Sequence, residues 1–178
     1  HFCVKRGTIW KMHPPCEEIA ERGFVMKIRI INKDSVEPTH RCDHEPYEFY
    51  KYEMTGRDEA GQCYVALYEL PPGKANYPYH YHMGNEEIFY IISGCGTLET
   101  PEGDKPVKAG DVIVCPDGEK GAHRIVNTSP EKLVYLDCDT VSVPEVVFYP
   151  RSEKVGIMAD GQARFYKIGD DVGYYEGE

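Results

Sequence analysis

The chain lacks any long apolar run and has few basic residues. In these 178 residues, no apolar run approaches the length of roughly 18 residues that a membrane helix needs. We therefore expect no membrane span. The 20 Lys and Arg against 30 Asp and Glu give a net charge of −10. Because an acidic surface repels phosphate and the basic residues are scattered, nucleic-acid binding is disfavoured. Hydrophobic residues at 41% and charged residues at 28% are close to globular averages, which excludes wholesale disorder.

A disulfide or zinc framework is also missing from the pattern. The seven cysteines are odd in number, and no two are spaced C-x-x-C. The first residues contain no apolar region typical of a secretory leader. We therefore expect reduced thiols in a cytoplasmic protein, with Cys115 and Cys138 as packing residues.

Helical periodicity is scarce, and short β-type segments dominate. The one predicted helix is short, at residues 15–22, and Gly23 ends it. Many short strands separated by Gly and Pro turns predict an all-β sandwich or barrel. We expect a short N-terminal arm at 1–23 and one domain over 24–178. The predicted strands are 26–30, 47–52, 62–70, 79–83, 88–93, 96–100, 111–115, 122–126, 133–138, 146–149 and 164–168.

Two histidines separated by one residue suggest a metal site. In an extended strand, His80 and His82 point to the same face, because side chains alternate. A short turn leads from them to Glu86 and Glu87, one of which can join the imidazoles from the next strand. Nitrogen and oxygen ligands suit first-row divalent ions. His123, in a later predicted strand, supplies a further imidazole.

These two stretches resemble the motifs of the cupin superfamily. The first motif, G-x5-H-x-H-x3,4-E-x6-G, is matched with one extra residue before the first histidine by Gly73, His80, His82, Glu87 and Gly94. The second, G-x5-P-x-G-x2-H-x3-N, is matched with two extra residues before the histidine by Gly110, Pro116, Gly118, His123 and Asn127. The wider pattern, from about residue 30 onward, is similar to small single-domain bacterial cupins.

The resemblance implies a double-stranded β-helix, a jelly-roll barrel, with at most one or two short helices. It implies that His80, His82, Glu87 and His123 bind one divalent transition metal, which can be manganese, iron, nickel, cobalt or zinc. Glu86 in place of Glu87 stays open, because a register shift of one residue exchanges the two faces of a strand. By analogy with the family we expect a small-molecule ligand and a homodimer. The resemblance identifies no catalytic residue.

Two function classes remain open. One is a metal-dependent enzyme acting on a small polar or anionic molecule, by isomerisation of a sugar or its phosphate or by oxygen-dependent cleavage. The other is a small-molecule binding or sensor protein without turnover. A further acid or base in the pocket, beyond the four ligands, would favour catalysis.

Two weaker signals accompany the motifs. The segment from His40 to His44 resembles a metal-binding sequence, but in a polar loop after Pro38 it is more typical of a solvated segment. Lys120 and Arg124 flank His123 and could attract an anionic ligand, although such cations are usually only part of the surface.

Overall fold

The computed structural model describes residues 28–56 and 61–178, and strands dominate this part of the chain. They are β1 Thr39–His44, β2 Tyr47–Glu53, β3 Cys63–Leu70, β4 Tyr81–His82, β5 Glu87–Ser93, β6 Cys95–Glu99, β7 Lys105–Lys108, β8 Val112–Cys115, β9 Arg124–Val126, β10 Leu133–Thr140, β11 Glu145–Tyr149, β12 Lys154–Ala159 and β13 Gln162–Lys167. Short 3-10 turns lie at Lys33–Ser35, Glu119–Gly121 and Pro150–Ser152.

The strands form three sheets. The largest has six strands in the order β1-β2-β3-β10-β5-β8, and β13-β12-β11-β4 and β7-β6-β9 form the other two. Every ladder between these strands is antiparallel. Strand β6 follows β5 after Gly94, whose φ is 81°. A Cβ there would lie 2.4 Å from the Lys132 carbonyl oxygen, so only glycine fits where the chain passes between sheets.

The interior follows from strict alternation of side chains. Strands β3 and β10 alternate between buried and partly buried residues along their whole lengths. One buried cluster joins the six-stranded sheet to the β7-β6-β9 sheet through Leu98, Val107 and Ile125. At its centre are stacked aromatic rings, with Tyr68 and Tyr135 at a centroid distance of 5.2 Å. The alternation thus produces an apolar core between these two sheets.

The all-β prediction is confirmed, and most predicted strands occur within a few residues of their expected ends. The strand predicted at 26–30 is wrong in its described part: residues 28–30 are not in a strand, and Ile28 is 99% exposed. Alternation alone cannot make a strand without a neighbour to pair with. Strands β1, β7 and β12 were not predicted. The predicted helix at 15–22 and the predicted arm at 1–23 lie outside the described residues.

The expectation of reduced thiols is wrong at Cys42, which is disulfide-bonded. Disulfide pairing depends on which cysteines the tertiary structure brings together, and spacing along the chain does not reveal this. The cytoplasmic location stays a prediction. Cys63, Cys95, Cys115 and Cys138 are free. Within the described residues, none of the helices has the length and apolar character needed to cross a bilayer.

Candidate metal centre

His80 and His123 are held opposite each other by the backbone. The His80 amide donates to the His123 carbonyl at 3.1 Å, and the His123 amide donates to the His80 carbonyl at 2.9 Å. This isolated antiparallel bridge places their imidazole centroids 4.9 Å apart. The two sequence motifs therefore meet directly, although 43 positions separate them along the chain.

Glu87 reaches the same place from the six-stranded sheet. It begins β5, where it pairs with Cys115 of β8 and Asp139 of β10. Its side chain is buried, whereas Glu86 is exposed. The alternative of Glu86 beside the histidines is therefore wrong, because the register of β5 turns position 87 inward.

The three imidazoles surround the Glu87 carboxylate. Its oxygens lie 3.1 Å from His123 Nε2, 3.9 Å from His80 Nε2 and 3.6 Å from His82 Nε2. Ligand atoms of His80, Glu87 and His123 all lie within 4.8 Å of one another, and His82 lies at the edge of this group. The structure thus brings together all four side chains that the motifs single out.

The outer nitrogens of the imidazoles contact other groups, which fixes the rings. His80 Nδ1 is 2.8 Å from the Pro78 carbonyl, and His123 Nδ1 is 2.9 Å from the Gly121 carbonyl. Because a carbonyl only accepts, each Nδ1 carries a proton, and each Nε2 faces Glu87. A metal-binding histidine is usually oriented in this way.

His82 is oriented by a carboxylate that the motifs do not include. Glu145, at the start of β11, places an oxygen 3.3 Å from His82 Nδ1. The same carboxylate accepts hydrogen bonds from the Met83 amide at 3.2 Å and from the Asn85 side-chain amide. Sequence reasoning missed Glu145 because it lies 62 positions from Met83 and belongs to no motif.

The centre contains buried polar atoms that lack a hydrogen bond. Glu87 Oε2 and His123 Nε2 are both buried without a hydrogen-bond partner, even though they are only 3.1 Å apart. Although burial opposes it, the neighbouring imidazoles of His123 and His80 lower the pKa of Glu87. Burial lowers the pKa of His80 to about 3, so that ring is neutral. A carboxylate surrounded by inward-facing imidazole nitrogens is the donor set of a first-row divalent ion.

A glycine turn positions His123. Gly121 ends the 3-10 turn Glu119–Gly121, and a Cβ there would lie 1.8 Å from the Pro116 carbonyl oxygen. The two residues inserted relative to the second motif are thus accommodated in a tight turn before the histidine. Asn127, fully buried, closes the following loop by donating to the Leu70 carbonyl at 2.9 Å and the Glu131 carbonyl at 2.8 Å. Its role in the motif is structural.

The two weaker sequence signals do not join the centre. The segment from His40 to His44 is strand β1, not a loop, and the His40 ring stacks on Tyr50 at 4.1 Å. The Arg124 guanidinium donates to the Glu99 carboxylate from Nε at 2.9 Å, so its charge is compensated there.

Two further carboxylates lie beside Glu87. Asp137 and Asp139 alternate inward on β10, and each is only 4% exposed. One carboxylate oxygen from each lies within 4.8 Å of an oxygen of Glu87. Burial, followed by the charge of Asp139, raises the pKa of Asp137 well above its usual range. The sequence pattern around Cys138 predicts only apolar packing, because the position of the inward acids depends on the pairing of β10 with β5.

Comparison with known proteins agrees with the fold and the motifs. The cupin domain model matches residues 66–139. Residues of this chain are 41% identical over 71 positions to an oxalate-binding protein of Thermotoga maritima, a match that covers 40% of this chain and 56% of that protein. The chain therefore spans little more than half the length of this curated relative.

Three solved structures share the architecture. A candidate sugar phosphate isomerase from Acidithiobacillus ferrooxidans has a TM-score of 0.69 at 26% identity, covering 80% of this chain and 92% of its own. A cupin-superfamily sugar phosphate isomerase from Silicibacter pomeroyi has a TM-score of 0.70 at 21% identity, covering 82% and 98%. A predicted oxalate decarboxylase from Thermotoga maritima has a TM-score of 0.57 at 26% identity, covering 64% and 100%.

The all-β architecture, the two motifs meeting at one point and the matched model identify a cupin domain over residues 66–139. Its jelly-roll fold is the one that the motifs predict, and its similarity is to small bacterial members of the superfamily.

Proposed function

We propose that this cupin is a metal-dependent enzyme that acts on a small polar or anionic molecule. His80, His82, Glu87 and His123 bind one divalent transition ion, which can be manganese, iron, nickel, cobalt or zinc. The observation that carries this proposal is that three Nε2 atoms converge on one buried carboxylate. The Nδ1 atoms of two of these rings, His80 and His123, contact backbone carbonyls.

Isomerisation of a sugar or sugar phosphate is the reaction that we favour. The bound ion supplies a Lewis acid that polarises a carbonyl oxygen. Asp137 and Asp139 provide ionisable groups beyond the four ligands, which a catalyst uses and a passive binder does not need. The likeness to the Acidithiobacillus protein, at 26% identity over 80% of this chain, supports the same reaction class.

The experiment is elemental analysis of protein purified without chelator, followed by an NMR assay with aldose and ketose phosphates. We expect about one transition ion per chain and interconversion of at least one aldose–ketose pair. The His82→Ala variant, which lacks one metal ligand, is the matched negative control. Stoichiometric metal with no turnover of any sugar phosphate would contradict the isomerase assignment.

A second candidate function is binding of a small dicarboxylate without turnover. It is supported by the 41% identity over 71 residues to the oxalate-binding protein. Calorimetry of the metal-loaded protein with oxalate tests it, because a dianion can fill the open positions of a bound ion. Saturable oxalate binding with no product by NMR would favour this candidate, and absence of any heat would contradict it.

We also propose that the protein is a homodimer, formed through the outer face of the six-stranded sheet. Two cross-strand rows of apolar side chains cover this face. The first row is Leu67, Leu136, Tyr90 and Val112, and the second is Val65, Cys138, Ile88 and Val114. Val112 and Val114, on the edge strand β8, are 62% and 60% exposed.

Size and charge favour a second copy as the occupant of this face. Four strands about 4.8 Å apart and rows about 7 Å apart give an apolar area of roughly 300 Å². That area is enough for the apolar centre of an interface that buries about 800 Å² per partner. Two copies, each with a net charge of −10, repel each other. These two rows contain no charged side chain, so contact through them brings no like charges together.

Light scattering coupled to size exclusion tests the dimer. We expect the wild type to be a dimer and Val112→Glu to be a monomer. Val172→Glu, at an equally exposed valine outside the two rows, is the control and should remain dimeric. A monomeric wild type at micromolar concentration would refute the proposal.

A further inference from the structure

The carboxylates of Glu87, Asp137 and Asp139 form a second cluster next to the histidines. Strand β10 places Asp137 and Asp139 on its inward face, and Asp139 pairs across the sheet with Glu87 of β5. One oxygen from each of the three lies within 4.8 Å of the others. All three residues are at most 8% exposed.

This cluster contains a buried carboxylate oxygen that lacks a hydrogen bond. Asp137 Oδ1 is buried and accepts no hydrogen bond. Lys51 is a cation that acts on Asp137, and its ammonium also pairs with Glu53 at 3.3 Å and lies 4.9 Å from the Tyr64 ring centroid. Buried carboxylates that repel one another persist when they share a proton or coordinate a metal.

We propose that Glu87, Asp137 and Asp139 bind a second divalent cation, with Glu87 shared between this ion and the ion of the histidine centre. The proposal deepens the proposed function, since it rests on a metal at the histidines. An all-oxygen donor set selects hard cations such as Mg²⁺, Ca²⁺ or Mn²⁺, whereas the histidine set selects a transition ion. The two sites therefore differ in the chemistry that they accept.

A shared carboxylate would make the pair a two-metal centre. Such a centre can hold two oxygens of one substrate, for example the adjacent hydroxyl and carbonyl oxygens of a sugar.

The test separates the two sites by the cation used. Chelator-treated protein is loaded with one equivalent of Co²⁺, read by its visible absorption, and then dialysed against radioactive Ca²⁺. We expect one Ca²⁺ per chain, with affinity at least tenfold weaker in Asp137→Asn. Asp104→Asn, at an exposed aspartate, is the matched control and should bind Ca²⁺ like the wild type. His82→Ala should lose Co²⁺ but retain Ca²⁺.

The outcomes distinguish the two proposals. Saturable Co²⁺ binding with no saturable Ca²⁺ or Mg²⁺ binding overturns the second site and leaves the first intact. Unchanged Ca²⁺ affinity in Asp137→Asn also overturns the second site. A proton shared by the two aspartates, in place of a cation, overturns it as well. If Asp137→Asn fails to fold, Mn²⁺ titration of the wild type followed by electron paramagnetic resonance decides. Two spin-coupled Mn²⁺ per chain support the site, and one isolated Mn²⁺ refutes it.

Discussion

Replacing Glu145 by glutamine tests whether the histidine centre depends on the carboxylate behind it. Glu145 lies 3.3 Å from His82 Nδ1 and accepts from the Met83 amide at 3.2 Å. Glutamine has the same size but only one accepting oxygen. Its NH₂ group takes the place of the second carboxylate oxygen and therefore faces a donor. His82 then loses the negative charge 3.3 Å from Nδ1, a charge that favours a proton on Nδ1 and a lone pair on Nε2.

The expected loss follows from measured effects of similar partners. Removing a group that orients a metal-binding histidine lowers metal affinity by about 10- to 100-fold, which corresponds to about 1.4–2.7 kcal/mol. Competition between apo-protein and a coloured chelator for Co²⁺ measures it. Glu86→Gln, at the exposed neighbour of a proposed ligand, should change the affinity by less than about twofold. If Glu145→Gln binds Co²⁺ as tightly as the wild type, the proposed orientation of His82 is wrong.

Three further predictions address the ligands, the turn and the surface charge network. His82→Ala should purify with no stoichiometric transition metal, as elemental analysis will show. Gly121→Ala places a Cβ against the Pro116 carbonyl, 1.8 Å away before relaxation, and should lower the free energy of unfolding in urea by about 2–4 kcal/mol. Glu99→Gln should lower that free energy by about 1–2 kcal/mol at pH 7. Although burial raises the pKa of Glu99, hydrogen bonds from Arg124 bring it below its usual value, so its stabilisation is present above about pH 4.5 and disappears as the pH falls further.

Each of these predictions has a matched control within the chain. His40→Ala removes a histidine that stacks on Tyr50, and metal content should not change. Gly173→Ala meets no atom closer than 3.9 Å, and the unfolding free energy should stay within about 0.5 kcal/mol of the wild type. Glu119→Gln, at an exposed glutamate, should have the unfolding free energy of the wild type at both pH 7 and pH 3. One result would contradict each argument. These results are full metal occupancy in His82→Ala, wild-type stability in Gly121→Ala, and a loss of unfolding free energy in Glu99→Gln that does not depend on pH.

The sequence by itself determined the strand content and the histidine pair. Alternation of side chains is a local property, so residues 62–70 and 133–138 could be read as strands without knowing their neighbours. The spacing of His80 and His82 likewise places both rings on one face without tertiary information. The motif spacing also indicated Glu87, although Glu86 remained open.

Only the tertiary structure decided the features that depend on pairing between distant segments. The register of β5 against β8 and β10 turned Glu87 inward and Glu86 outward. The same ladders brought Asp137 beside Glu87, and the pairing of β11 with β4 brought Glu145 behind His82. Electrostatic interactions act over a few ångströms in space, and positions some 50 to 60 residues apart have no fixed distance until the chain has folded.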